Sequence, residues 1–104
     1  MRGMNDLVRQ AQIMQSKMMK MQEELAAKTV EGSSGGGMVK VVVNGRQDIL
    51  SVAIDPAVVD PDDVSMLQDL VLTAMNDGIR ASREMAEHEM KGLTGGISLP
   101  GIFG

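Results

Sequence analysis

Along the first part of the chain, apolar or small residues recur at Met4, Leu7, Ala11, Met14, Met18, Met21 and Leu25, in strictly alternating steps of three and four. This is a heptad seam held over three heptads, and neither Pro nor Gly interrupts it. Gln, Lys and Glu fill most of the remaining positions. The spacing therefore predicts a helix over residues 4–29, about 39 Å long at 1.5 Å per residue. So narrow a stripe packs best against another helix, supplied by the same chain or by a second subunit.

The pattern then shortens to that of strands. Residues 29–33 form a weak candidate. Residues 38–44 (MVKVVVN) and 47–55 (QDILSVAID) are rich in Val and Ile and form strong ones. Asn44-Gly45 between them predicts a two-residue hairpin of type I′, in which both central residues take positive φ. In the last strand Leu50, Val52 and Ile54 alternate with Ile49, Ser51 and Ala53, which predicts one core face and one semi-polar face. Residues 33–37 (SSGGG) read as a flexible connection between the first two strands.

A second long helix is expected over residues 61–91. Asp60 would be its N-cap, Pro61 its first residue, and Asp62 and Asp63 would place negative charge in the first turn. Its buried stripe would run through Val64, Leu67, Leu70, Val71, Ala74, Met75, Ile79, Ser82, Met85 and Ala86, and Gly92 would end it. The order helix, three strands, helix makes an α+β domain over residues 1–92. The Gly-rich residues 93–104 (LTGGISLPGIFG) are expected to form a flexible tail. Two helices on three strands leave a sheet edge and apolar surface uncovered, for which homodimerisation is the simplest remedy.

Composition narrows the function. A chain of 104 residues is one domain. It has no Cys and a single His, which excludes disulfide scaffolds, thiolate zinc sites, iron–sulfur clusters, multi-His metal centres and Cys nucleophiles. Without Trp or Tyr there is no aromatic platform for single-stranded nucleic acid. No nucleophile, base and orienting group can be assembled, so an enzyme is not expected, and neither is a cofactor or a small-molecule substrate. No stretch is apolar enough to span a membrane. The N-terminus also lacks a signal-peptide core, so the expected location is the cytoplasm.

The formal net charge is −4, but it is unevenly spread. Residues 1–46 carry seven basic and four acidic residues, whereas residues 47–104 carry three and ten. On the first helix Arg2, Arg9, Lys17, Lys20 and Lys28 fall within an arc of about 100° opposite the apolar seam. Such a stripe is either an ordinary solvated face, since Asp6 and Glu24 share it, or a ladder that tracks DNA phosphates, which requires only positive charge at reachable spacing. On the second helix Arg80–Glu84, Arg83–Glu87 and Glu87–Lys91 have the spacing of intrahelical ion pairs. His88 reads as a solvated residue near the helix end. Asp60, Asp62 and Asp63 lack the pattern of a calcium loop, and Gly35-Gly36-Gly37 lacks the following Lys and helix of a phosphate loop. The eleven Met residues suit an adaptable core or dimer seam.

Several pieces in order resemble the YbaB/EbfC family of bacterial nucleoid-associated proteins. They are the Gln/Met-rich segment 7–26, then Val30-Glu31-Gly32, Gly36-Gly37-Met38-Val39-Lys40-Val41, Asn44-Gly45 and Ile54-Asp55-Pro56. Leu67-Gln68-Asp69-Leu70, Ala74-Met75-Asn76, Leu93-Thr94-Gly95-Gly96 and Leu99-Pro100-Gly101 complete the match. Gln68 departs from the pattern, where an acidic residue is expected, as does Gly78, where Ala is commoner. The resemblance implies a tweezer-like homodimer located at the nucleoid. Its helices would grip double-stranded DNA and so affect DNA conformation, nucleoid organisation and gene expression. On this reading Arg2, Arg9, Lys17, Lys20 and Lys28 make phosphate contacts, with Arg80, Arg83 and Lys91 as secondary candidates. The rival is a dimeric protein-interaction module that binds DNA weakly or not at all.

Overall fold

The computed structural model describes residues 2–93, in the order α1 (Arg2–Ala27), β1 (Thr29–Ser34), β2 (Val39–Asn44), β3 (Ile49–Ile54) and α2 (Val64–Leu93). This is the α+β order expected from the sequence. The expected tail beyond residue 93 lies outside the described residues. The strands form one antiparallel sheet in the order β1-β2-β3. Overall the chain is drawn out, 73 × 25 × 16 Å with a radius of gyration of 19.6 Å. A compact domain of this length would have a radius near 13 Å. The excess arises because α1 extends from the body and meets it only near its C-terminal end.

The core lies between α2 and the first two strands. Val39, Val41 and Val43 alternate along β2, so all three point to one face. They are fully buried there with Ala74 of α2 beneath Val30, Leu70, Val71, Met75 and Ile79. Each such Val contributes about 1.5–3 kcal/mol relative to exposure. The helix can approach this closely because glycines face each other: a Cβ on Gly32 would lie 2.2 Å from the Gly78 amide nitrogen and 2.5 Å from the Ala74 carbonyl oxygen. Gly78 is thus a site of close packing in the helix. Two polar contacts fix the register: Ser34 donates its hydroxyl to the Leu70 carbonyl at 2.5 Å, and buried Ser82 donates to the Asn44 carbonyl at 2.6 Å.

Several expectations require correction. The β2–β3 connection is not a type I′ turn, because Gly45 does not adopt positive φ and Gln47 does, at 67°. Asn44 organises a longer loop, its side-chain oxygen accepting from the Arg46 and Asp48 amides at 2.9 and 3.0 Å. Gly45 is required for space, since a Cβ there would lie 2.7 Å from a Leu25 methyl. Its amide also reaches the Leu25 and Lys28 carbonyls at 2.8 and 3.0 Å, satisfying acceptors at the end of α1. The Gly35–Gly37 segment is a compact 3-10 turn in which all three glycines take positive φ, from 60° to 92°. Helix α2 begins at Val64 rather than Pro61. Asp63 caps it by accepting from the Met66 amide at 3.2 Å, while Asp60 closes the preceding turn by accepting from the Asp62 amide. Gly92 lies inside α2 and does not end it.

The largest corrections concern burial. No residue of β3 is buried, because α2 covers β1 and β2 and stops short of the third strand. A bulge at Leu50, the residue between the pairs Val42↔Ser51 and Val43↔Ile49, also breaks the expected alternation. Ile49, Val52 and Ile54 therefore share the α2 side of the sheet, opposite Val43, Val41 and Val39, yet remain open. Val64, expected in the α2 stripe, is exposed. In α1 only Met21 and Leu25 of the seam are buried, and Met4, Leu7 and Met14 are exposed.

Candidate nucleic-acid interface

Helix α1 is held to the body at one end only. Met21 and Leu25 insert beside the hairpin tip, where Gly45 caps the helix. Residues 3–17 are all exposed, an arm of roughly 22 Å at 1.5 Å per residue. Arg9, Lys17 and Lys20 project from this helix into solvent, while the side chain of Arg2 lies outside the described ones. From Arg9 to Lys20 the charges span about 16 Å along the axis.

Lys17 and Lys20 border a cleft of about 250 Å³ between α1 and the C-terminal end of α2, shared with Met21, Glu24, Glu89 and Gly92. Two carboxylates therefore sit beside the two ammonium groups. Lys28 follows the last residue of α1 and contacts Glu89 of α2 at 2.5 Å. The hydrogen bond from Lys28 holds the Glu89 carboxyl below its ordinary value, and the same bond raises the Lys28 ammonium. One member of the basic stripe is thus neutralised by a residue 61 positions away.

Carboxylates also engage one of the secondary candidates. The Arg80 guanidinium is held by Asp77 at 2.7 Å and Glu84 at 3.1 Å, and these bonds raise its pKa. Asp77 in turn accepts from the Ser33 amide at 3.0 Å; that bond, followed by the one from Arg80, holds its carboxyl below the ordinary range. Arg83 and Lys91 are exposed on α2. Arg46 is missing from the stripe that the sequence predicts. It is exposed at the hairpin tip, one residue from the glycine that bonds the Lys28 carbonyl, so it sits beside the C-terminal end of α1. Its position follows from a tertiary contact that no local pattern reveals.

The opposite end of the body is acidic. A second cleft, of about 500 Å³, is bordered by Asp63, Met66, Asp69 and Leu70 of the N-terminal end of α2 and its cap, together with Ser34 and Gly35. Among the described residues no group of three or more His, Cys, Asp or Glu could hold a metal ion. Also among them, no helix is long and apolar enough to cross a membrane. Charge is therefore unevenly placed: between residues 3 and 20 the arm carries Arg9, Lys17 and Lys20 against Asp6, while most of the carboxylates lie on the body.

Known proteins agree with this architecture. The chain is 58% identical over 101 residues to a nucleoid-associated protein of Syntrophobacter fumaroxidans, covering 97% of this chain and 91% of the relative. It is 57% identical to a nucleoid-associated protein of Desulforamulus reducens, covering 97% and 96%. The crystal structure of an uncharacterised Helicobacter pylori protein matches with a TM-score of 0.75 at 25% identity, over 85% of this chain and 92% of that one. The YbaB/EbfC DNA-binding family matches residues 1–97. With nearly the whole chain matched, and relatives above half identity, this protein belongs to the YbaB/EbfC DNA-binding family.

Proposed function

We propose that this chain acts at the nucleoid as a homodimer that binds double-stranded DNA mainly through phosphate contacts, altering DNA conformation and thereby gene expression. The observation that carries the reading is the projecting α1 arm, on which Arg9, Lys17 and Lys20 are exposed with Asp6 as the one acidic residue among them, while most of the acidic residues lie on the body. Arg2 extends the same stripe in sequence, and Lys28 and Arg46 mark its base. Arg83 and Lys91 are secondary contacts, and Arg80 is a weaker one because two carboxylates already engage it. Such contacts read the duplex backbone and carry no base information.

Strand β3 supports dimer formation. Among the described residues its outer edge pairs with no strand, and Ile49, Leu50, Val52 and Ile54 are 36–55% exposed beside it. An unpaired edge with an apolar row is a template for association. A second copy joined at β3 would cover the row and carry a second α1 arm.

With three free cations per protomer, the dimer would neutralise about six phosphates, so log K should fall with log salt at a slope near −5. The test is fluorescence anisotropy of a mixed-sequence duplex of about 30 base pairs, roughly three helical turns, at two salt concentrations. The Lys17→Glu/Lys20→Glu variant is titrated alongside, with the protomer count checked by sedimentation equilibrium. Steep salt dependence that collapses in the variant is the expected result. Binding that is insensitive to both salt and charge reversal would instead favour a protein-docking role.

A further inference from the structure

The part of α1 that carries the DNA-facing charges also carries an unused apolar seam. Met4, Leu7 and Met14 are 63%, 65% and 47% exposed, whereas Met21, two heptad positions after Met14, is 6% exposed. The body thus covers the seam only at its base. The positions flanking the open stretch are Gly3, Val8, Gln10 and Gln15, none of them charged. The charged residues of the stretch, Asp6 and Arg9, lie roughly 120° and 180° from the centre of this part of the seam at 100° per residue.

These features point to one occupant. An a/d seam is matched by another a/d seam. Charges at the flanking positions ordinarily choose the partner and repel identical helices; here none does, so a second copy of α1 meets no repulsion. In antiparallel pairing Met4 would face Met14 of the other copy, and Leu7 would face Ala11, so an adaptable Met pair would flank a large-against-small pair. Antiparallel pairing also aligns opposing helix dipoles and keeps the two bodies at opposite ends. Both basic faces point outward and stay available to phosphate.

We propose that α1 arms of separate molecules pair antiparallel through Met4, Leu7, Ala11 and Met14, linking molecules bound to DNA. Four seam positions per helix make a short contact, and short helices gain little alone. The pairing is therefore weak between free molecules and strong once DNA raises their local concentration. Its surface is separate from β3, so each dimer would offer two further contacts and could join neighbouring stretches of duplex. The contact itself stands without the DNA-binding reading, but its consequence on DNA rests on that reading.

The chain contains no Cys, so introduced thiols report on this contact alone. Leu7→Cys and Ala11→Cys proteins, one isotopically labelled, are mixed under mild oxidation with and without a long duplex, and the disulfides are identified by mass spectrometry. Gln12→Cys, on the far side of the helix, serves as the control. The expected result is a 7-to-11 intermolecular disulfide in excess over 7-to-7 and 11-to-11, enriched by the duplex and exceeding the control. Equal yields at all positions, or no 7-to-11 excess although anisotropy shows the duplex bound, would overturn the pairing. If the duplex does not bind, a 7-to-11 excess at high protein concentration still supports the pairing, and its absence there overturns it. As a second readout, Leu7→Asn/Met14→Asn changes no charge. It should leave the affinity and salt slope for a short duplex unchanged but abolish cosedimentation of long duplexes into multi-duplex complexes. Retained cosedimentation would overturn the proposal.

Discussion

Replacing Gly78 with Ala tests whether close packing or helix propensity governs the centre of α2. On propensity alone the change should stabilise the protein by about 0.8–1 kcal/mol, since Gly is the poorest interior helix former after Pro. Steric crowding opposes this gain and outweighs it. The new methyl would lie 2.7 Å from a Val41 methyl and 2.8 Å from a Val43 methyl. Both valines are fully buried and β-branched, so neither can rotate away. Overpacking of this kind costs about 1–3 kcal/mol, leaving a net loss centred near 1 kcal/mol. That corresponds to a fall in Tm of about 4–8 °C for a domain of this size. Gly32→Ala should be worse, because its methyl meets backbone at 2.2 and 2.5 Å and only separation of β1 from α2 can relieve the clash. There the expected loss is about 3 kcal/mol or more, the top of the overpacking range. Gly92→Ala is the control: it is also helical, with nothing within 4 Å of the new atom, so its propensity gain is unopposed. Urea unfolding followed by far-UV circular dichroism at one fixed protein concentration ranks the three variants. A Gly78→Ala protein as stable as Gly92→Ala would refute close packing as the controlling effect.

Two further predictions concern charge. Asp77 is held below its ordinary value of 3.8 by the Ser33 amide and Arg80, so its contribution to stability is present above that value and is lost as pH falls through the lower folded value. Thermal melts across pH should show Asp77→Asn less stable than the parent at neutral pH, with the two converging in acid below 3.8; a gap independent of pH would contradict this assignment. Glu89→Gln removes the carboxylate that engages Lys28 and borders the Lys17/Lys20 cleft, so it should tighten duplex binding. Exposed ion pairs are weak, so the expected gain is modest, up to about fivefold per protomer; unchanged or weaker anisotropy binding would show that the cleft does not face DNA.

The fold was legible wherever local pattern and tertiary role coincide. Both long helices and all three strands follow from period and propensity, and the Asn44-Gly45 turn signal lies in the right place. Its geometry was not legible, because Gly45 answers to a contact with Leu25, a residue of another element. The start of α2 shifted for a related reason. Four Asp residues lie between Asp55 and Asp63, three of them accept a nearby amide, and sequence alone does not choose which one caps the helix. Burial of β3 was misread because alternation reports which residues share a face, whereas coverage depends on where α2 crosses the sheet.

The candidate site was legible as a stripe but not as a potential. Helical periodicity correctly groups Arg9, Lys17 and Lys20 on one exposed face, since that grouping needs only the backbone. Whether each charge is available depends on partners brought in by the fold. Lys28 meets Glu89 across 61 residues, and Arg80 shares Asp77 with the β1 amide of Ser33. The net charge of −4 misleads for the same reason. Much of the negative charge caps helices, closes turns or pairs with cations on the body, while the arm keeps its ammonium and guanidinium groups in solvent. A duplex responds to that local field within about a Debye length, roughly 8–10 Å at moderate salt, and not to the sum over the chain. An acidic protein can therefore present a basic stripe, provided that the stripe stands away from the body that carries most of the acid.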